Sequence, residues 1–186
     1  MNVCGNFLND GQFSAQTNST VRFASTSIAQ TIAGNLTGTA AFWNLRNSNI
    51  TGNQVTALNN IDCNGNVTVD NNAILNMNSN YHTVAGSFGI VGPNGQYIPG
   101  AGGTVEFTPT APRTYTNLGN LNNVIMNGTS TMALNTNMNI GTSGTLTLTN
   151  GRIITGANYV VQNNRAAASV SVGNTNSFVS GNLRRY

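Results

Sequence analysis

Charged residues are scarce in this sequence. Only 6% of its 186 residues are charged, against roughly a quarter in an average soluble protein, and lysine is absent altogether. The positive side chains are all arginine, and only Arg184 and Arg185 are adjacent. Scattered arginines form no basic stripe, so the pI of 9.2 reflects a small charge imbalance and does not indicate a nucleic-acid partner.

The residues that favour helices are also few. Lysine is missing and glutamate occurs once, whereas Asn, Thr, Ser and Gly are abundant. Short polar side chains bond to nearby backbone and favour turns over helix interiors. The chain is nevertheless 39% hydrophobic with a net charge of +3, which is typical of a folded protein. An all-β protein with many short strands is predicted.

Residues that carry catalysis are sparse as well. The acids are Asp10, Asp62, Asp70 and Glu106, and His82 is the only histidine. Neither a metal-ligand spacing, nor a catalytic triad, nor a cluster of acids can be assembled from this set. We therefore expect no enzyme activity, no metal and no cofactor, and we expect His82 to lie at the surface or beside a turn.

The two cysteines, Cys4 and Cys63, leave two alternatives open. They are far apart in sequence and show no zinc-binding spacing. They form either one disulfide in an oxidising compartment or two buried free thiols in the solenoid core. Cys63 falls in an apolar alternation, which favours a buried thiol.

Long hydrophobic runs are missing. None reaches the length of a membrane span, and the first residues lack the basic and apolar regions of a secretory signal. The uncharged, Asn- and Thr-rich composition is typical of extracellular proteins. We therefore expect an extracellular or cell-surface segment excerpted from a larger protein.

The chain does contain a regular alternation of predicted short strands and turns. Residues 144–161 (GTLTLTNGRIITGANYVV) show it best, with apolar runs separated by Asn-Gly and Gly-Ala-Asn turns. The alternation places the Leu, Ile and Val side chains inward. Thr145, Thr147 and Thr149 then face outward.

Similar short sequence segments recur at an offset of about 80 residues. TVRF at 20–23 returns as TVEF at 104–107, and VTVDNNAIL at 67–75 returns as LTLTNGRII at 146–154. Such self-similarity predicts a single domain over 1–186, a right-handed parallel β-helix (β-solenoid) of two similar modules, 5–85 and 86–170. Asn side chains are expected to form ladders between turns of the solenoid.

The amino-acid sequences of the repeats also resemble those of a known group of proteins. The phrases GTLTLTNGRIITGAN and SFVSGNLRRY are similar to repeats in large secreted, adhesin-like surface proteins of Bacteroidetes. The resemblance implies a parallel β-solenoid, export to the cell surface, and a role in adhesion or filament structure. The expected partners are sister chains, stacked end to end or laterally, or surface glycans and matrix.

Three surfaces are candidates for partner contact. Trp43, Tyr97 and Tyr115 are aromatic residues that would suit a sugar, although Trp43 has apolar neighbours that favour the core. Thr145, Thr147 and Thr149 form a Thr-x-Thr row. All four prolines lie between residues 90 and 113, which predicts loops that leave the stack. Carbohydrate binding, ice binding and a phage or viral fibre remain alternatives to adhesion.

Overall fold

A computed structural model describes residues 1–50 and 53–186. Over these residues the chain forms nineteen β-strands and two short 3-10 helices, Gly38–Ala40 and Ala167–Ser169. In chain order the strands are β1 (Asn2–Val3), β2 (Phe7–Asn9), β3 (Thr20–Phe23), β4 (Gln30–Gly34), β5 (Asn44–Asn47), β6 (Gln54–Ala57), β7 (Ile61–Cys63), β8 (Val67–Val69), β9 (Ile74–Asn76), β10 (Tyr81–Val84), β11 (Phe88–Ile90), β12 (Gln96–Ile98), β13 (Thr104–Phe107), β14 (Arg113–Thr116), β15 (Asn120–Leu121), β16 (Asn123–Leu134), β17 (Met138–Ile140), β18 (Leu146–Gln162) and β19 (Ser177–Arg185).

The strands build a parallel β-solenoid of about eight turns, which confirms the predicted fold. Every ladder between named strands is parallel, and partners such as Leu45 and Val67 lie about 22 residues apart, one turn of the coil. The turns present three faces. Face 1 contains β1, β3, β5, β8, β11 and β14; face 2 contains β2, β4, β6, β9 and β12; face 3 contains β7, β10 and β13.

Three strands, β16, β18 and β19, turn corners of the solenoid without a break, and β19 follows β18 from face 1 to face 2. The first part of β16 pairs with β13 on face 3, and its last residues pair with β14 on face 1. β18 continues through face 3 and face 1 and reaches face 2, where it pairs with β17. The three runs predicted within residues 144–161 are therefore segments of one strand that bends around the core.

The core consists of columns of inward side chains stacked from turn to turn. One column on face 1 runs Val21, Leu45, Val67, Phe88, Tyr115 and Leu134, all buried. Alternation along each strand sends the intervening polar residues outward, as in Thr20–Phe23 with Val21 and Phe23 buried. In β18, Leu146, Leu148, Ile153 and Val160 point inward as predicted, but Ile154 and Val161 lie on the outer side and are half-buried.

The two similar modules stay a prediction. TVRF forms β3 on face 1, whereas its counterpart TVEF forms β13 on face 3. In the same way, VTV of β8 lies on face 1 and its counterpart in β18 on face 3. The similar sequence segments thus lie on different faces. One turn takes about 22 residues, and an offset of about 80 residues is not a whole number of turns.

The Pro-rich segment 90–113 does not leave the stack as expected. It supplies β12, which pairs with β9 on face 2, and β13, which pairs with β10 and β16 on face 3. The largest insertion is residues 108–112 between β13 and β14, where the connection one turn earlier is residues 85–87. The five-stranded sheet of face 2 does end at β12, consistent with the expected edge.

Asn side chains join successive turns at one corner of face 1. Asn44 Oδ1 accepts the main-chain N–H of Asn66, and Asn66 Oδ1 accepts that of Ser87, each at 2.8 Å. Ser87 Oγ then accepts the N–H of Thr114 at 3.1 Å. The ladder predicted from the Asn content therefore exists, and at this corner the Asn side chains bond to the backbone of the next turn. An amide-to-amide bond between turns also occurs, from Asn94 Nδ2 to Asn72 Oδ1 at 3.0 Å.

Candidate binding surfaces

The structure buries two of the predicted partner-facing aromatics. Tyr97 is 5% exposed and Tyr115 is not exposed at all, so the prediction that they face a partner is wrong. Tyr97 stands in register with Leu75 on face 2, and Tyr115 with Phe88 on face 1; both continue inward columns. Burial raises the pKa of both hydroxyl groups above the ordinary tyrosine value.

Trp43 is half-buried at the corner before β5. Its main-chain oxygen accepts the N–H of Gly65 at 2.6 Å, which fixes the corner to the next turn. Its neighbours Phe42 and Leu45 are fully buried. Trp43 therefore borders the core and retains some exposed surface.

The Thr-x-Thr row of β18 faces outward as predicted, with Thr145 and Thr147 half-buried and Thr149 exposed. It is not part of a regular threonine array. Thr147 is in register with Ile125 of the preceding turn, and Thr145 Oγ1 donates to Asn123 Oδ1 at 2.9 Å. The row therefore lacks the repeated, flat Thr surface that ice binding would need.

His82 is fully buried, which corrects the expectation of a surface position. It lies in the inward column of face 3 between Ile61 and Val105, with its ring against Phe88 and Tyr97. Neither ring nitrogen has a hydrogen-bond partner within the described part of the chain. Burial lowers the pKa of His82 to about 3, so the ring is neutral at ordinary pH.

Cys4 and Cys63 are both free thiols, which settles the two alternatives against a disulfide. Cys4 is exposed, so only Cys63 is buried as expected. Cys63 lies in β7, and burial raises the pKa of its thiol to about 12. Its sulfur donates to the main-chain oxygen of Trp43 at 3.1 Å.

Asp62 and Glu106 stand in one column of face 3, separated by Thr83, and Asp70 lies elsewhere. Asp70 forms an ion pair with Arg46 at 2.9 Å and accepts a hydrogen bond from Ser48. Asp62 lies in β7 on face 3, away from Asp70. Within residues 1–50 and 53–186, no three His, Cys, Asp or Glu side chains come close enough to hold a metal ion.

Glu106 accepts hydrogen bonds from Tyr81 Oη at 2.5 Å and from Asn127 Nδ2 at 2.7 Å. Glu106 forms no ion pair with Arg113, the arginine that follows it most closely in the sequence. Burial, and after it the hydrogen bond to Glu106, raises the pKa of the Tyr81 hydroxyl. The pair is a polar contact between neighbouring turns on the outer side of face 3.

Sequence reasoning missed two shallow grooves that adjoin on the outer side of face 1. One, of about 200 Å³, crosses β3, β5 and β8 beside Arg46; the next, of about 250 Å³, crosses β8, β11 and β14. They share Asn66 and Thr68. Gly89 stands in register with Thr68 and Thr116, and its missing side chain deepens the second groove. Together they form a long surface of amide and hydroxyl groups along the solenoid.

A third depression lies at the corner between faces 3 and 1. It is formed by residues 129–131, 150–152 and 175–176 of three consecutive turns and encloses about 440 Å³. Arg152 is its single charged residue. We refer to it as the Arg152 cleft.

Comparison with known proteins gave no relative: no protein-family model matches the chain, and neither the curated proteins nor the solved structures contain a significant match. In the described residues, no helix has the length and hydrophobicity that crossing a membrane requires.

Proposed function

We propose that the chain is a non-catalytic structural and adhesive segment of an extracellular, cell-surface or filament-forming protein. The observation that carries the proposal is the outer side of face 1, where amide and hydroxyl groups line adjoining grooves over successive turns. The one charged side chain in these grooves, Arg46, is paired with Asp70. Amide and hydroxyl groups both donate and accept hydrogen bonds, as the hydroxyl groups of a glycan do. The resemblance of the repeats to secreted adhesin-like surface proteins points the same way.

The interior supports a structural role. Apolar columns run through the coil, and side chains such as Asn66 tie the backbone of one turn to that of the next. Each turn is thereby held by its neighbours, which is how solenoids remain rigid over long distances. A rigid rod with a repeated exterior that carries few charges is suited to present a binding surface away from a cell.

Glycans or matrix are the proposed partners of face 1. Its grooves are long and shallow, so they fit an extended chain lying along the solenoid better than a compact small molecule. Sister chains, packed end to end or side by side, are the second proposed class of partner.

Retention on polysaccharide-coated surfaces tests the proposal. Beads carrying the purified chain are allowed to settle on a panel of neutral and acidic polysaccharides and are then washed under flow. We expect retention on at least one surface above albumin-coated beads, and reduced retention for Thr68→Tyr, which fills both face 1 grooves. Equal retention of the two kinds of bead on every surface would count against adhesion.

A further inference from the structure

The Arg152 cleft arises from a mismatch between two neighbouring turns. β16 and β18 are in register at Asn127 and Asn150, and again at Thr131 and Arg152. Between these points β16 has three residues where β18 has only Gly151, so the corner of β16 bulges outward. The bulge opens a depression between turns that are otherwise tightly stacked.

Gly151 keeps the other side of the corner tight. Its φ is +81°, and a Cβ there would lie 2.6 Å from the carbonyl oxygen of Ser130 and 2.7 Å from that of Gly128. Only glycine combines this conformation with so close an approach. The cleft is therefore fixed by the backbone and does not depend on the position of a mobile side chain.

Arg152 is held in place but is not neutralised. It stands in register with Phe178 of the next turn, and its guanidinium carbon lies 5.8 Å from the centre of that ring. Over the described part of the chain its guanidinium makes no hydrogen bond and no ion pair. Arg46, by contrast, is bonded to Asp70. The N–H groups of Arg152 therefore remain available to a ligand.

The remaining lining is neutral and polar. Hydroxyl groups come from residues 129–131 and Thr175, and amide groups come from Asn150 and Asn176. No acid lines the cleft, so nothing within it opposes an anion. A volume of about 440 Å³ falls within the ordinary range of ligand pockets.

The geometry points to a site for an anionic sugar residue, one that bears a carboxylate or a sulfate. A guanidinium presents parallel N–H groups that match two oxygens of such an anion, while hydroxyl and amide side chains match sugar hydroxyl groups. This inference rests on the proposed adhesive function and names a ligand class for it, at a different surface from the face 1 grooves.

Binding of the purified full-length chain to oligogalacturonate, to dextran sulfate and to neutral dextran tests the site. We expect both anionic probes, or one of them, to bind more tightly than dextran, with an affinity that falls as salt is raised. Arg152→Gln should weaken that binding roughly tenfold or more. Arg152→Lys keeps the positive charge but loses the parallel N–H groups of the guanidinium. Its affinity should therefore lie between those of the wild-type chain and Arg152→Gln. The probe that binds identifies the anion.

Arg184→Gln is the matched control, because Arg184 is also exposed and lies 4.5 Å from the centre of an aromatic ring, that of Tyr159, outside the cleft. It should bind within about twofold of the wild-type chain. Equal losses for Arg152→Gln and Arg184→Gln would show general charge attraction and overturn the site. The site would also be overturned if neither anionic probe bound, or if a single-stranded oligonucleotide bound more tightly than the anionic polysaccharides.

The bead experiment separates the two proposals. Retention of Arg152→Gln beads at the wild-type level on every surface, together with unchanged binding of the anionic probes, would remove the cleft and leave adhesion standing. Failure of the wild-type beads on every surface would remove adhesion itself. Circular dichroism of each variant confirms that the fold is retained.

Discussion

Asn66 reaches across to the next turn of the solenoid and accepts the main-chain N–H of Ser87 through its side-chain oxygen at 2.8 Å. Its own N–H is in turn bonded to Asn44 Oδ1 at the same distance. The turn position of Asn66 is thus part of the structure that holds successive turns together. It explains the abundance of Asn in the sequence without any ligand.

Replacing Asn66 with Ala should lower the free energy of unfolding by about 1 kcal/mol, because the N–H of Ser87 loses its acceptor. Asn64→Ala is the control: Asn64 is exposed in the same corner and its side chain makes no hydrogen bond among the described residues. It should change the free energy by less than about 0.5 kcal/mol. Urea unfolding of both variants measures the difference, and equal effects would contradict a role for the ladder.

Gly86→Ala should destabilise the fold by about 1–3 kcal/mol through overpacking. A Cβ at Gly86 would lie 2.3 Å from the carbonyl carbon and oxygen of Gly65, one turn below. Gly5→Ala is a control, since a Cβ there meets nothing within 4 Å. Thermal melts compare the two, and a Gly86→Ala variant as stable as Gly5→Ala would show that the stacking at this corner is looser.

His82 should make the fold sensitive to mild acid. The pKa of His82 is about 3 in the folded chain, so below about pH 6.5 the unfolded chain takes up a proton that the folded chain does not. The free energy of unfolding should therefore fall by up to about 1.4 kcal/mol per pH unit between pH 6.5 and 4.5. Above pH 6.5 the ring is neutral in both states and contributes no slope.

His82→Leu removes this group and should flatten the pH dependence over that range, which denaturant unfolding at several pH values measures. Because His82 is the only histidine, no other side chain of that type titrates there. At pH 7 the variant should be as stable as the wild type or more so, since two unpaired ring nitrogens leave the core. A slope that survives the substitution would contradict the buried position.

The two thiols should react very differently. Cys4 is exposed, whereas burial raises the pKa of Cys63 to about 12 and leaves its thiol protonated. Iodoacetamide at neutral pH should label Cys4 in the folded chain and Cys63 only after unfolding, as mass spectrometry of the peptides would show. Rapid labelling of Cys63 in the folded chain would contradict its place in the core.

Local patterns of the sequence predict the strands well. Alternation in Thr20–Phe23 and in the first part of β18 identifies the inward side chains, and Asn-rich turns mark the corners. The same local patterns cannot tell which of the three faces a strand joins. The face that a strand joins depends on the length of every turn that precedes the strand. The similar segments TVRF and TVEF therefore lie on different faces.

Tyr97, Tyr115 and His82 show why the candidate surfaces were harder to predict. Each has a polar group that suggests exposure, but the register with Leu75, Phe88 and Ile61 places each within an inward column. For His82, its spacing of two from the apolar Val84 was a usable signal. The Arg152 cleft left no such signal, because it depends on the register in which the neighbouring turns of β16 and β18 align.

The retention of chain-coated beads on polysaccharide surfaces tests the proposed adhesive role most directly. Wild-type beads should remain on at least one polysaccharide under a flow that removes albumin-coated beads, and Thr68→Tyr or Arg152→Gln should release them. Release of wild-type and albumin-coated beads at the same flow on every surface would contradict an adhesive role.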